Sequence, residues 1–385
     1  MTPKDFNENS WGKIRKQPSD YWAFVPNPLP PALDLDWELV RRLTDAERVL
    51  ARLEGIGRIL PNPDLLIGPF MRREAVLSSR IEGTQASLSE LVLFEAGSSV
   101  EQPHSDVQEV RNYVVALEYG LVRLKTLPIS LRLMGELHER LMSRVRGGHL
   151  TPGEFRKSQN WIGAPGCTLN DATYVPPPVN EMIEALGLLE NFIHAPSALP
   201  ELIRLALIHY QFEAIHPYID GNGRIGRLLI TLLLCERKVL HQPLLYLSAF
   251  FEKHRSEYYR LLLGVSQRGE WRPWMLFFLQ GIEEQSRDAL TRTERLLNLQ
   301  QQYTATLQAA KASALPLRLL DQLFRLPATS VPQAAKMLGV TPRAAGLIVN
   351  KLVNARILEE ITGQERNRWF VATGIIKIAD ADFDA

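Results

Sequence analysis

The run from His216 to Arg227, H-P-Y-I-D-G-N-G-R-I-G-R, dictates a helix, a tight turn and a second helix. Glu201 to Ala214 carries apolar residues at helical spacing and reads as an amphipathic helix. Pro217 disfavours right-handed helical geometry at the residue before it, which predicts His216 just past the helix end with its ring toward a cleft. Gly221 and Gly223, with Asn222 between them, let the backbone turn tightly and aim its N–H groups inward. The next helix, predicted to open near Arg224, adds its positive end, so the turn is suited to binding an anion. Arg224 and Arg227 are three apart, share a face and can grip phosphate oxygens in a bidentate way. Asp220 is placed to hold Mg²⁺, an ion that takes carboxylate and phosphate oxygens. The same glycines spell G-x-G-x-x-G, but a dinucleotide fingerprint needs a preceding strand, and here a helix precedes.

Composition narrows the remaining classes. A chain of 385 residues is expected to form two or three domains. With 44 Lys+Arg against 43 Asp+Glu the formal charge is +1, so any binding of nucleic acid or anionic lipid must be local. Cys167 and Cys235 cannot form a disulfide framework and no Cys/His cluster has zinc-finger spacing, which makes a reducing cytoplasm the expected location. The opening residues lack a basic-then-apolar leader, and the longest largely apolar run, Leu228 to Cys235, is far too short to span a membrane, so no membrane partner is expected.

Along the chain, the Pro-rich stretch to about Asp34 keeps Trp11, Tyr21, Trp22 and Phe24 and reads as an extended arm packed on the body. From Leu35 onward helical periodicity dominates, broken by Pro and Gly. Trp161 to Pro178 sets two short extended runs about a Gly/Pro/Asn turn, a predicted β-hairpin among helices. From Leu317 the pattern is helix, VPQAAKMLGV, TPRAAGLIVNKLVNARIL, a turn at Gly363 and a strand RWFVA, a helix-turn-helix with a wing. Thr341 and Pro342 read as the N-cap and first residue of its second helix, and Arg343, Lys351, Arg356, Arg366 and Arg368 supply cations for contact with duplex DNA, diluted by Glu359, Glu360 and Glu365.

The segment His216 to Arg227 resembles the motif H-P-F-x-D/E-G-N-G-R-x-x-R of the Fic (filamentation induced by cAMP) family, with Tyr218 in place of Phe. The resemblance extends to W-I-G…A-T-Y-V-P-P-P before it and L-S-A-F-F…Y-Y-R-L-L after it, roughly residues 110 to 290. It implies a mainly α fold: a Fic-type helical bundle with a β-hairpin flap, here joined to the C-terminal winged helix-turn-helix. The expected domains are an arm and inhibitory-helix region over 1–109, a catalytic domain over 110–300 and the winged helix over 301–385.

It also implies a protein adenylyltransferase that moves AMP from ATP to a Ser, Thr or Tyr hydroxyl of a protein target or of itself, with Mg²⁺ as cofactor. His216 would be the base, Asp220 the metal ligand, and Gly221, Asn222, Gly223, Arg224 and Arg227 the phosphate contacts. Tyr258 and Tyr259 follow the pattern of the nucleotide pocket, with one of them equally suited to a core role. Ile162, Gly163, Thr173 and Tyr174 would form a flap whose edge pairs with an extended target segment. Ser78 to Gly83, S-S-R-I-E-G, matches the family's inhibitory signature S/T-x-x-x-E-G/N. Leu65 to Ile81 reads as a helix with Gly83 just past its end, so the Glu82 carboxylate lies at the negative pole and wants a cation. The resemblance supplies that cation as Arg227. A homodimer is expected on the same ground. Two other readings keep the core: a winged-helix regulator that senses nucleotide, and an enzyme that removes AMP from modified proteins.

Overall fold

The computed structural model describes residues 1–60, 63–97, 105–145, 151–310 and 313–381. Among them helices dominate, with one two-stranded and one three-stranded antiparallel sheet. The N-terminal stretch is a hairpin, β1 (Gly12–Lys16) paired with β2 (Trp22–Pro26), rather than a single extended arm. Its aromatic residues explain why it packs down. Phe24 is fully buried and stacks on Phe6, while Trp11 meets Trp271 edge-on.

Helix α1 (Trp37–Ile59) starts where the Asp36 carboxylate accepts from Leu39 N. It is followed by α2 (Asp64–Ile81), α3 (Leu88–Glu95), α4 (Ser105–Arg123) and α5 (Leu131–Leu141). Beyond the flap come α6 (Val179–His194), α7 (Glu201–Ile215), α8 (Asn222–Glu236), α9 (Ser248–Lys253), α10 (Arg255–Arg268) and the long α11 (Trp271–Ala309), which lies along α1.

At the centre, α7 is buried on nearly every side, which corrects the expectation of an amphipathic helix. A helix without a solvent face must satisfy its polar side chains internally. Arg204 Nη2 donates to the carbonyls of Phe192, Ile193 and Ala195 at the end of α6, and Gln211 donates to Asn27 O. His209 joins Gly226 O on one side and the Tyr258 hydroxyl on the other, at 3.2 and 2.8 Å.

The chain closes with α12 (Ala314–Arg325), β3 (Ala328–Ser330), α13 (Val331–Leu338), α14 (Pro342–Asn354), β4 (Glu359–Glu360), β5 (Trp369–Val371) and α15 (Thr373–Asp380), the strands ordered β3-β5-β4. Thr341 caps α14 by accepting from Ala344 N, with Pro342 in the first turn. This C-terminal segment sits against α2. Arg72 Nη1 donates to Arg325 O, the last residue of α12, at 2.9 Å, while its Nε pairs with Glu95, and Gln333 donates to Ala96 O. The expected divisions at 109 and 300 fall inside α4 and α11. No helix among the described residues is long and apolar enough to cross a membrane.

Candidate active site

Helix α7 ends in a left-handed residue. His216 has φ 50° and ψ 61°, its N–H still closes the helix onto Phe212 O at 3.0 Å, and Pro217 follows. As expected, Pro217 keeps the residue before it out of the right-handed helix, and His216 takes a left-handed turn just past the helix end. Such geometry costs a non-glycine residue about 1 kcal/mol or more and persists only where neighbours enforce it. Two buried donors do so: Arg156 Nε and Asn160 Nδ2 both reach His216 O, at 3.0 and 3.3 Å. Arg156 also donates to the carbonyls of Ser158 and Pro177, and Asn160 to Tyr218 O at 2.7 Å, so the flap base and the turn are stitched together.

The His216 ring has Nδ1 3.3 Å from Glu213 O. A carbonyl only accepts, so the proton belongs on Nδ1 and Nε2 keeps its lone pair. Burial pushes this histidine down to about 4, which leaves it neutral in the physiological range.

The turn itself is held from below. Asn222 Oδ1 accepts from Tyr218 N and its Nδ2 donates to Tyr218 O, each at 2.8 Å, so this side chain clasps the turn and only its backbone is left for a ligand. Gly221, with φ 81°, caps α8, and a Cβ there would press on Met142 and His138. His138 stacks on Tyr218, ring centroids 3.8 Å apart and planes 6° apart. It accepts from Gly153 N through Nδ1, so its Nε2–H donates to Asp220 O at 3.0 Å; burial lowers it to about 4, which suits this neutral form. His138, Arg156 and Asn160 are isolated in sequence, and only the fold brings them to the turn.

The two motif arginines are one turn apart but already engaged. Arg224, 3% exposed at its side chain, meets Glu109 at 3.3 Å and Asp220 at 3.6 Å. Arg227 donates through Nε to Ser78 Oγ and through Nη2 to Ser78 O, both at 2.9 Å, and pairs with Glu82 at 2.6 Å. Glu82 terminates α2, and Gly83 follows at φ 96°. Burial alone would raise the Glu82 carboxyl, yet the Arg227 charge and hydrogen bond, helped by Arg224 and His216, hold it below its usual range. An added Cβ on Gly223 would stand 2.3 Å from Glu82 Oε1, so the glutamate lies directly on the turn.

Beside these groups opens a cleft of about 780 Å³, lined by Glu82, His216, Gly223 and Arg227 together with Tyr258, Tyr259 and Ser266. Tyr258 is 1% exposed and bonded to His209, whereas Tyr259 is 42% exposed beside Arg255. The flap residues Ile162, Gly163, Thr173 and Tyr174 form one wall. The expected hairpin is reduced to a single bridge, Ile162 N→Tyr174 O and Tyr174 N→Ile162 O at 2.8 and 3.0 Å, with a short 3-10 turn at Leu169–Asp171. The prolines at 165 and 176–178 supply no N–H, which limits how far the ladder extends. Asp220 is half-exposed beside Arg224, outside the residues that line the cleft, and no group of three His, Cys, Asp or Glu among the described residues could by itself hold a metal ion. Glu213, Arg255 and Arg260 also line the cleft, outside the sequence motif and the tyrosine pair.

This geometry agrees with what the chain is similar to. Residues 40–122 match the profile described as "Fic/DOC family N-terminal" and residues 128–234 that of the "Fic/DOC family". The protein adenylyltransferase Fic of Drosophila willistoni is 29% identical over 212 residues, covering 53% of this chain and 38% of the relative. That of Drosophila virilis is 29% identical over 194 residues, covering 49% and 35%. The chain thus spans under two-fifths of the curated relatives it matches. A Fic family protein from Desulfovibrio desulfuricans shares the fold with TM-score 0.58 at 18% identity, over 90% of this chain and 99% of the other. A Fic domain containing signaling protein from Bacteroides thetaiotaomicron does so with TM-score 0.52 at 20% identity, over 66% and 97%. The paired profiles meet across the α2–α8 contact just described, and residues 40–234 form the Fic/DOC family part of the chain.

Proposed function

We propose that this chain is a protein adenylyltransferase that transfers AMP from ATP to a protein hydroxyl and is held in check by its own Glu82. The observation that carries the reading is the neutral His216, with Nε2 as its acceptor, lining a cleft that Gly223 of the glycine turn and Arg227 also line. In the reaction, Nε2 takes the proton of a Ser, Thr or Tyr hydroxyl as its oxygen attacks the α-phosphorus of ATP. The bond from that phosphorus to the bridging oxygen breaks, pyrophosphate leaves, and the AMP ester remains on the protein. The backbone of Gly221, Asn222 and Gly223 and the start of α8 face the phosphate charge. Arg224 and Arg227 orient the terminal phosphates.

Asp220 fits a Mg²⁺ that takes one protein carboxylate and completes its shell with phosphate oxygens and water; such an ion neutralises phosphate charge when bound. Arg227 is turned to Glu82 and Ser78, which supports a resting state whose terminal phosphate lacks its partner. The flap bridge leaves most of the flap backbone outside any ladder, a surface suited to pairing with an extended target segment.

The test is transfer from ATP labelled on the α-phosphate, to the protein itself and to a lysate. Label weak in wild type, strong in Glu82→Gly and absent in His216→Ala supports the assignment; label that survives His216→Ala removes it. A second reading rests on the C-terminal segment as a winged helix, because Arg343, Lys351, Arg356, Arg366 and Arg368 are all exposed there. Binding to duplex DNA that weakens steeply with salt, without any label transfer, would favour a DNA-binding regulator instead.

A further inference from the structure

Glu213 stands on α7 one turn before His216 and lines the same cleft, yet the chemistry above does not use it. Its Oε1 is buried, and among the described residues no group hydrogen-bonds to it. That oxygen is packed directly on α8: a Cβ added to Gly226 would fall 2.2 Å from it. The charged and titratable groups facing the carboxyl are Arg227 of α8, Glu82 of α2 and Tyr258 of α10, with Tyr210 and His216 along its own helix. Among the described residues the cation acting on this carboxyl is Arg227, which is already committed to Glu82 and Ser78 and makes no hydrogen bond to it. A buried carboxylate without a donor on one oxygen carries a penalty that the neutral acid avoids, because the carbonyl of a carboxylic acid is the weaker acceptor.

We infer that Glu213 is a nucleotide-contacting residue carried as the neutral acid, with its buried oxygen against Gly226 and its hydroxyl donating to an acceptor oxygen of the phosphate–sugar portion of the bound nucleotide. The direction of titration agrees: burial, reinforced by Glu82 and opposed by Arg227, pushes this carboxyl up to about 8. Below that pH the site offers a donor where the nucleotide has only acceptors. Above it the group becomes an anion facing phosphates, with the opposite consequence for binding. Position supports the same role, since Tyr210, Glu213 and His216 run at helical spacing along the α7 side of the cleft and Glu213 lies between the base and the Tyr210–Ser266 pair, which is joined at 2.9 Å.

This inference rests on the proposed nucleotide site, and ATP binding by calorimetry from pH 6.5 to 9.5, without added target, separates the two. Glu213→Gln keeps a carbonyl for the buried side and an N–H for the cleft at every pH. It is expected to bind ATP within about threefold of wild type at pH 7 and to lose the alkaline weakening that wild type shows above about 8. Glu213→Ala, which removes the donor, is expected to bind roughly 10- to 100-fold more weakly, the range for losing a hydrogen bond to a charged acceptor. If Glu213→Gln binds as poorly as Glu213→Ala, or keeps the alkaline weakening, the neutral-donor role is wrong while the nucleotide site stands. If wild type binds no ATP at any pH, the functional reading fails and this one with it.

Discussion

Replacing Glu82 by glycine tests the central electrostatic claim in both directions. The carboxylate and the Arg227 guanidinium are 2.6 Å apart, with side chains 35% and 1% exposed. Fully exposed pairs contribute at most about 1 kcal/mol, whereas losing one partner of a fully buried pair costs about 3–5 kcal/mol. A pair with one end buried and the other a third open to solvent falls between, at about 1.5–3 kcal/mol, or roughly 10- to 150-fold in the population of released Arg227. Glu82→Gly is therefore expected to raise the initial rate of AMP transfer by that factor, and Glu82→Gln, which keeps a neutral acceptor, by less. Stability moves the opposite way. Arg227 retains Ser78 Oγ and Ser78 O, so the loss on unfolding in denaturant is expected to be about 1–2 kcal/mol rather than the full penalty of a stranded charge. The assay is label transfer from α-phosphate-labelled ATP, with His216→Ala in the Glu82→Gly background as the blank. A Glu82→Gly rate equal to wild type, with that blank silent, would refute the restraint while leaving the catalyst intact.

Three further outcomes follow from the same geometry. Because burial holds His216 down at about 4 and Glu82 only raises it, transfer by Glu82→Gly at saturating ATP is expected to stay level from pH 7 to about 5 and to fall at or below pH 4 as the base takes up its proton; an acid limb centred near 6.5 contradicts this. Arg156→Lys replaces a fork that reaches three carbonyls by one ammonium, so kcat in the Glu82→Gly background should drop about 100-fold with KM for ATP little changed; equal losses in both would make Arg156 a binding group instead. Arg72→Ala removes the link from α2 to Glu95 and to the end of α12 and is expected to cost about 3 kcal/mol in denaturant unfolding, against under about 0.5 kcal/mol for the exposed Arg80→Ala; indistinguishable variants would mean that the C-terminal segment does not brace α2.

What the sequence made legible was contiguous or local. The turn from His216 to Arg227, the end of α2 at Glu82, and the Thr341–Pro342 start of α14 each follow from residues within one or two helical turns, where caps, glycines and prolines act directly on the backbone. What was misread or left open shares one physical cause, which is that a distant partner settled the local balance. At His216 the sequence says only that Pro217 excludes the right-handed helix, and Arg156 and Asn160, 60 and 56 positions away, fix its carbonyl in a left-handed turn. Helix α7 reads as amphipathic until carbonyls of α6, of Asn27 just past the N-terminal hairpin and of α8 engage Arg204, Gln211 and His209 and the surrounding packing closes solvent out. Tyr258 and Tyr259 are equivalent in the sequence, and His209 decides between them by holding Tyr258 in the core. The same reasoning bears on regulation. Helix α2 carries Ser78 and Glu82 to Arg227 at one end, while Arg72 ties an earlier turn to α12 and Glu95. The Glu82 carboxylate is thus presented by a helix held at its C-terminal end and at its middle, and under the proposed autoinhibition whatever displaces it from Arg227 must either compete at the cleft or loosen the contact with the C-terminal segment.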